Sequence, residues 1–130
     1  MIESKKVLIN NVNYEITPFP GMQGWKIQLK LGKVLSPAFK NILENENFLE
    51  QDVSNLGLVL KDFLEQLYNF DPNGDFVLEL LSKTQRENML ITRGIFDQVY
   101  SANYVELSKV LWEVIKTNGF FSLNAIGSQN

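Results

Sequence analysis

The stretch that decides the fold is YVELSKVLWEVIKTN, residues 104–118. Its charged residues recur at helical spacing and form one polar stripe, while apolar side chains cover most of the remaining helical wheel. Asn103 before the stretch can cap a helix, and Gly119 after it is a natural helix stop. So wide an apolar arc predicts a central helix that packs on several sides, or one that also faces a partner.

A second amphipathic helix is predicted over residues 53–68, because Leu60, Phe63 and Leu67 share one face with other apolar residues. Leu58 points to the other side of this helix. Upstream, Ser36 and Pro37 predict the N-cap and first turn of a helix over 36–44, followed by a polar loop over 45–52.

The sequence after residue 70 predicts shorter elements. Asp71-Pro72-Asn73-Gly74 is strong turn chemistry, and Asp75 is predicted to cap a short helix over 76–83. Residues 84–93 are polar with a weak pattern and are interpreted as an internal loop. Apolar residues over 95–100 predict one more short helix.

At the N-terminal end the sequence predicts a β-hairpin. Residues 7–9 and 12–16 form two short apolar runs, and in the second run Val12, Tyr14 and Ile16 alternate with polar residues. Between the runs stands Asn10-Asn11, and asparagine tolerates the positive φ of tight hairpin turns. Two prolines at 18 and 20 then end the strand region.

Residues 22–34 fit two interpretations. Trp25, Ile27, Leu29 and Leu31 alternate with polar residues, which favours a strand, but Lys26, Lys30 and Lys33 stand at i, i+4 and i+7, which favours a helix. We choose the helix. Under this interpretation Trp25 is predicted to belong to the core.

These elements predict a mostly α (α+β) fold, with a small N-terminal β-hairpin followed by a compact bundle of about five helices. At 130 residues the chain fits one domain. We expect the hairpin over 1–20, the helical body over 21–119 and a C-terminal tail over 120–130.

Composition limits the possible chemistry. The chain contains no Cys and no His, which removes thiolate nucleophiles, disulfides, Cys-type metal sites and the commonest general base. Neither a dinucleotide-binding nor a phosphate-binding glycine motif occurs. A net charge of −3 without a basic run argues against general nucleic-acid binding. We therefore expect no enzymatic activity and no cofactor.

The N-terminal segment predicts a cytoplasmic protein. Only three apolar residues follow Lys5-Lys6, too few for the core of a signal peptide. No stretch approaches the roughly 18 apolar residues that a membrane span needs.

Two sets of residues are candidates for partner binding. The first is the lysine stripe Lys26, Lys30 and Lys33, which either docks an acidic partner or is neutralised by the acidic residues of 44–79. The second consists of apolar residues. Val105 and Trp112 lie on one flank of the last helix, where they are either buried against the hairpin or part of an interface. Leu58, on the helix over 53–68, is the third apolar candidate.

Taken in order, the chain resembles the small tail assembly chaperones of bacteriophages and prophages. The matching features are Ile9-Asn10 through Tyr14-Glu15-Ile16, Pro18-Phe19-Pro20, Leu31 to Lys33 with Pro37 after it, the Leu-rich helix at 53–68, Leu80-Leu81, Phe96-Asp97, Tyr100, the Leu107-Val110-Leu111-Val114 helix, Asn118 and Phe120-Phe121. The family usually has Asn directly before Phe near the end, whereas here Gly119 intervenes.

The resemblance implies a helical protein with a small N-terminal β element, no cofactor and no active site. Such proteins coat the tape-measure protein before the tail tube polymerises around it, in the cytoplasm of the host bacterium. In many phages a frameshifted longer form also recruits tail tube subunits. A homo-oligomer is possible under this reading.

Three functions from different classes are thus in competition. The first is a non-enzymatic tail assembly chaperone that binds the tape-measure protein. The second is a small phage-encoded adaptor or DNA-binding regulatory protein, which requires the lysine stripe to lie exposed on one face. The third is an enzyme that uses carboxylates alone, which requires two acidic side chains to converge in a pocket.

Overall fold

The computed structural model describes the backbone of residues 3–34 and 57–120, and the side chains of 3–34 and 61–120. Within these ranges the elements follow in this order: β1 (Lys5–Ile9), β2 (Val12–Ile16), α1 (Gly21–Val34), α2 (Gly57–Phe70), α3 (Asp75–Leu80), β3 (Thr84–Arg86), β4 (Met89–Leu90), α4 (Arg93–Val99) and α5 (Tyr104–Asn118). The helix predicted over 36–44 and the loop predicted over 45–52 lie outside the described residues.

The first hairpin is confirmed. β1 and β2 pair antiparallel, with Val7 opposite Tyr14 and Ile9 opposite Val12. Asn10 and Asn11 both adopt positive φ angles, 50° and 66°. Two consecutive left-handed residues between antiparallel strands form the tight turn whose twist matches that of the strands, and asparagine is one of the few residues that adopts it readily.

The predicted fold class is wrong, because strands are not confined to the N-terminal hairpin. Residues 84–93, interpreted as a loop, contain β3 and β4. β3 pairs antiparallel with β2, with Ile16 opposite Thr84, and β4 pairs with β3. The described residues thus form a four-stranded antiparallel sheet in the order β1-β2-β3-β4 together with five helices, of which α5 packs on β1 and β2.

The helical interpretation of residues 22–34 is confirmed, since α1 spans Gly21–Val34. Gly24, Ile27 and Leu31 are on the buried side of this helix. At 100° per residue, Trp25 lies about 120° from Leu31 and about 160° from Ile27 around the axis. Trp25 is therefore 57% exposed, and the prediction that it belongs to the core is wrong.

The turn after α2 caps α3 in an unexpected way. α2 ends at Phe70, and α3 begins at Asp75 with Gly74 at its N-cap, where φ is 78°. The carboxylate of Asp71 accepts a hydrogen bond from the backbone N–H of Phe76. Asp75 is thus the first residue of the helix, and the prediction that it is the cap is wrong. A carboxylate that reaches the first turn from outside the helix satisfies one of the free N–H groups there.

The last helix forms as predicted. α5 spans Tyr104–Asn118, and Gly119 ends it with a left-handed φ of 66°. Five of its apolar side chains are at most 1% exposed and belong to the core; they are Val110, Leu111, Trp112, Val114 and Ile115. α5 packs on the sheet on one side and on α2 on another, so its wide apolar arc is that of a central helix.

The start of α5 has one feature that its sequence does not predict. Asn103 stands at the N-cap, and its carbonyl accepts from the Leu107 N–H at 3.4 Å, but its side chain accepts no hydrogen bond from the helix. Its side-chain amide nitrogen instead donates to the Val99 carbonyl at 3.3 Å and to the Glu106 carboxylate at 3.2 Å.

Within 3–34 and 57–120, no helix is long and apolar enough to cross a membrane.

Candidate partner-binding surfaces

On its sheet side, α5 holds a buried polar cluster, defined here as Tyr14, Arg86, Tyr100, Asn103 and Glu106. Glu106 is only 4% exposed. One of its carboxylate oxygens accepts from the Tyr14 hydroxyl and, at 3.1 Å, from Arg86 Nε. The Tyr14 hydroxyl lies 2.9 Å from that of Tyr100. Because Tyr14 gives its only proton to Glu106, Tyr100 is the donor in the pair of hydroxyls.

Burial and hydrogen bonds determine the protonation states in the cluster. Burial alone raises the pKa of the Glu106 carboxyl, but hydrogen bonds from Tyr14, Asn103 and Arg86, with the positive charge of Arg86, outweigh burial and leave this pKa below its ordinary value. Burial raises the pKa of Tyr14, and the hydrogen bond to Glu106 raises it further. Glu106 is therefore ionised and Tyr14 neutral near pH 7.

The polar cluster connects three elements that are far apart in sequence. Tyr14 belongs to β2, Arg86 to β3 and Glu106 to α5. Each polar group in the cluster finds a partner, as buried polar groups must to avoid a large desolvation penalty. The arrangement fixes the helix against the sheet.

Among the described residues, no group of three or more acidic side chains is placed to hold a metal ion.

On the other side of α5 lies an open apolar groove of about 620 Å³, between α2, the 71–74 turn, α4 and the start of α5. Leu67 and Leu107 are buried at its base, while Tyr68 and Tyr104 are 67% and 61% exposed. The apolar and aromatic side chains that line it are Leu64, Leu67, Tyr68, Val77, Phe96, Tyr104 and Leu107. Its charged lining residues, among those described, are acidic: Glu65 and Asp71.

Hydrogen bonds hold the wall of the groove in place. The turn is closed by the Gly74 N–H, which donates to the Asp71 carbonyl at 3.0 Å. Arg93 at the start of α4 donates to the Asn73 carbonyl at 3.1 Å and to the Asp75 carboxylate at 2.8 Å. The groove is therefore largely formed before any partner binds, which reduces the entropic cost of association.

A second exposed surface is the outer side of α1, called the α1 face and defined as Met22, Trp25, Lys26, Leu29 and Lys33. All five side chains are exposed. Lys30 lies beside this face, where its ammonium forms an ion pair with Glu79 at 3.0 Å and lies 5.7 Å from the centre of the Phe76 ring.

The residues predicted to bind partners are distributed over different parts of the structure. Lys26, Lys30 and Lys33 share the exposed side of α1, although one of them is paired with Glu79 as the alternative interpretation predicted. Val105 is 65% exposed, next to Tyr104. Trp112 is buried, so the two residues on that flank of α5 do not form one surface. Leu58 lies in α2, and its side chain is outside the described ones.

Sequence reasoning missed most of the groove. In α2, Leu64 and Tyr68 are four residues apart and mark a second apolar line beside the buried Phe63 and Leu67. That spacing was the signal available in the sequence. The contribution of Phe96 could not be predicted, because it depends on where the 71–74 turn places α4.

An open apolar groove and a helix face of mixed apolar and basic character are features of a protein that binds other proteins. Residues 10–126 match the family model described as phage tail assembly chaperone protein, TAC, so the chain belongs to this family. The resemblance found in the sequence is confirmed, and the family implies partners among phage tail proteins. No curated protein and no solved structure matches the chain significantly.

Proposed function

We propose that the chain is a non-enzymatic chaperone of the host bacterial cytoplasm, which binds helical segments of the phage tape-measure protein and helps the tail tube to assemble. The observation that carries this proposal is the groove. It presents a buried apolar base with two exposed tyrosines beside it, Tyr68 and Tyr104. Tyrosine supplies a large amphipathic contact area and is enriched at binding hot spots.

The groove suits an amphipathic helix. Such a helix lays side chains at i, i+3, i+4 and i+7 into an apolar groove, and the groove here, of about 620 Å³, is lined mainly by apolar and aromatic side chains. A long helical client with an apolar stripe aggregates unless this stripe is covered. Because Glu65 and Asp71 border the groove, the client segment carries basic residues beside its apolar stripe.

The binding part of this proposal is tested by co-expression. The tagged chain is produced together with the tape-measure protein, recovered by affinity, and the complex is weighed by native mass spectrometry. The expected result is a soluble complex of several copies of the chain on one tape-measure molecule. The proposal fails if the chain is recovered alone and the tape-measure protein is insoluble beside it.

A matched pair of variants then tests the groove. Tyr68→Ala/Tyr104→Ala removes its two exposed aromatic rings, whereas Leu8→Ala/Met89→Ala removes two exposed apolar side chains from the strands. Loss of two hot-spot aromatics is expected to weaken client binding by roughly tenfold or more. The control is expected to bind as the unmodified chain does. Equal binding by both variants contradicts the placement of the client in the groove.

The role in tube assembly needs its own readout. It is supported by the family alone, and its partner there is the tail tube protein. A phage carrying the Tyr68→Ala/Tyr104→Ala chain is expected to produce heads without completed tails, as seen by electron microscopy. Normal tails from a phage whose chain no longer binds the tape-measure protein contradict this role.

A further inference from the structure

The α1 face has two parallel stripes of different chemistry. Met22, Trp25 and Leu29 follow each other at i, i+3 and i+7, so their side chains form one apolar line along the helix. Lys26 and Lys33 are also seven residues apart and form a basic line directly beside it. Because the opposite side of α1 already contributes Ile27, Leu31 and Val34 to the core, this arrangement is not required for folding.

Exposed apolar side chains of this size, side by side, are characteristic of interaction sites in soluble proteins. Trp25 is 57% exposed, and tryptophan is among the residues most enriched at binding hot spots. A single exposed Leu needs no explanation, but an exposed Trp between Met22 and Leu29 on one helix face does.

Charge indicates what this face binds. The helix Gly21–Val34 carries three lysines and no acidic residue. Glu79 neutralises Lys30, whereas Lys26 and Lys33 form no ion pair with any other described residue. The groove, in contrast, is bordered by Glu65 and Asp71. The two surfaces have opposite charge and therefore select different partner segments.

We infer that the α1 face is a second protein-binding surface, separate from the groove, whose partner is an amphipathic helix with acidic residues beside its apolar stripe. Acidic side chains of such a helix meet Lys26 and Lys33, while its apolar residues cover Trp25 and Leu29. A nucleic acid is the less suitable partner. Lys26 and Lys33 together neutralise only two phosphates, and the apolar stripe contributes nothing to phosphate binding.

The test uses a designed helical peptide with a leucine stripe flanked by glutamates, and a control peptide in which lysine replaces each glutamate. Trp25 is exposed and Trp112 is buried, so the tryptophan emission that moves to shorter wavelength on binding reports on the α1 face. We expect the acidic peptide, and not the basic one, to shift the emission, with an affinity that falls as salt is added.

Matched charge variants locate the site. Lys26→Glu/Lys33→Glu and Lys61→Glu/Lys83→Glu change the net charge equally, and all four lysines are exposed. We expect the first pair to weaken binding of the acidic peptide by roughly tenfold, and the second pair to leave it nearly unchanged. Trp25→Ala, followed by calorimetry because the reporter is lost, is expected to weaken it by at least as much.

Three results overturn the inference. The first is equal binding of both peptides, and the second is a mobility shift of duplex DNA that the Lys26→Glu/Lys33→Glu variant abolishes, while neither peptide binds. The third is binding of the acidic peptide only after the chain's own carboxylates in 44–52 have been neutralised. The last result assigns the face to the chain itself. The groove variant Tyr68→Ala/Tyr104→Ala is expected to bind the acidic peptide normally, which distinguishes failure of this inference from failure of the proposed function.

Discussion

The two sides of α5 differ in what they do with their polar and apolar groups. Toward the sheet, Glu106 is buried and every polar atom of its carboxylate has a donor. Toward the groove, only two positions earlier along the chain, Tyr104 leaves most of its ring in solvent. A closed, satisfied side contributes to the free energy of unfolding, whereas an open apolar side is available for a partner. One helix thus separates stability from binding, and substitutions can test each side alone.

The largest effect is expected for Glu106→Ala. Removal of one partner from a buried ion pair leaves Arg86 uncompensated and typically costs about 3–5 kcal/mol. Because Arg86 keeps some solvent access, we expect a value near the lower limit, measured as the free energy of unfolding in urea. The control is Asp75→Ala, because its side chain is 75% exposed and its ion pair with Arg93 at 2.8 Å predicts a loss of less than about 1 kcal/mol. Equal losses contradict the distinction between the cluster and ordinary ion pairs.

The second prediction concerns pH and the variant Glu106→Gln, which is expected to cost about 1–3 kcal/mol at pH 7 because it weakens the hydrogen bonds from Arg86 and Tyr14. The folded-state pKa of Glu106 lies below its unfolded value, so the unfolded chain takes up the proton first as the pH falls. The advantage of the unmodified chain is thus complete above the unfolded pKa of about 4.3 and is lost as the pH falls through the folded pKa.

Urea unfolding of both proteins between pH 7 and pH 2 measures this difference. It is expected to be constant down to about pH 5 and then to shrink. A difference that does not change at low pH means that the shape of the Glu106 side chain, and not its charge, stabilises the sheet side of α5.

The elements that could be predicted from the sequence are those whose signal is local. α5 has an unbroken apolar pattern with Asn103 before it and Gly119 after it, and the first hairpin has Asn10-Asn11 between its strands. In these segments the residues that determine the structure are neighbours in the chain. No long-range contact was needed to predict them.

The second hairpin had no comparable signal. β3 and β4 contain three and two residues, too few to show alternation, and Glu87 occupies a left-handed turn position with φ of 49° although glutamate rarely favours it. These strands form because β3 pairs with the edge of β2 that β1 leaves free, with Tyr14 opposite Arg86. This partner strand is distant in sequence. Asn88, also left-handed, was the one local indication of the turn.

The surfaces were harder to predict than the elements. The lysine stripe of α1 could be read from the spacing of Lys26, Lys30 and Lys33, but the exposure of Trp25 depends on which side of α1 is buried. Likewise, Glu106 looks in sequence like one more member of the polar stripe of α5. Only the approach of Tyr14 and Arg86 from two strands turns it into the centre of a buried cluster.

The smallest effect on stability is expected on the groove side. Tyr104 is the first residue of α5 and is 61% exposed, so Tyr104→Ala removes little buried area, and the better helix propensity of alanine offsets part of that loss. We expect the free energy of unfolding to change by no more than about 0.5 kcal/mol, the usual limit for surface positions. A loss of more than about 1 kcal/mol means that Tyr104 already packs as part of the fold. In that case the groove side of α5 contributes to stability as the sheet side does. Client binding must then be measured with a different groove variant, one that unfolds at the same urea concentration as the unmodified chain.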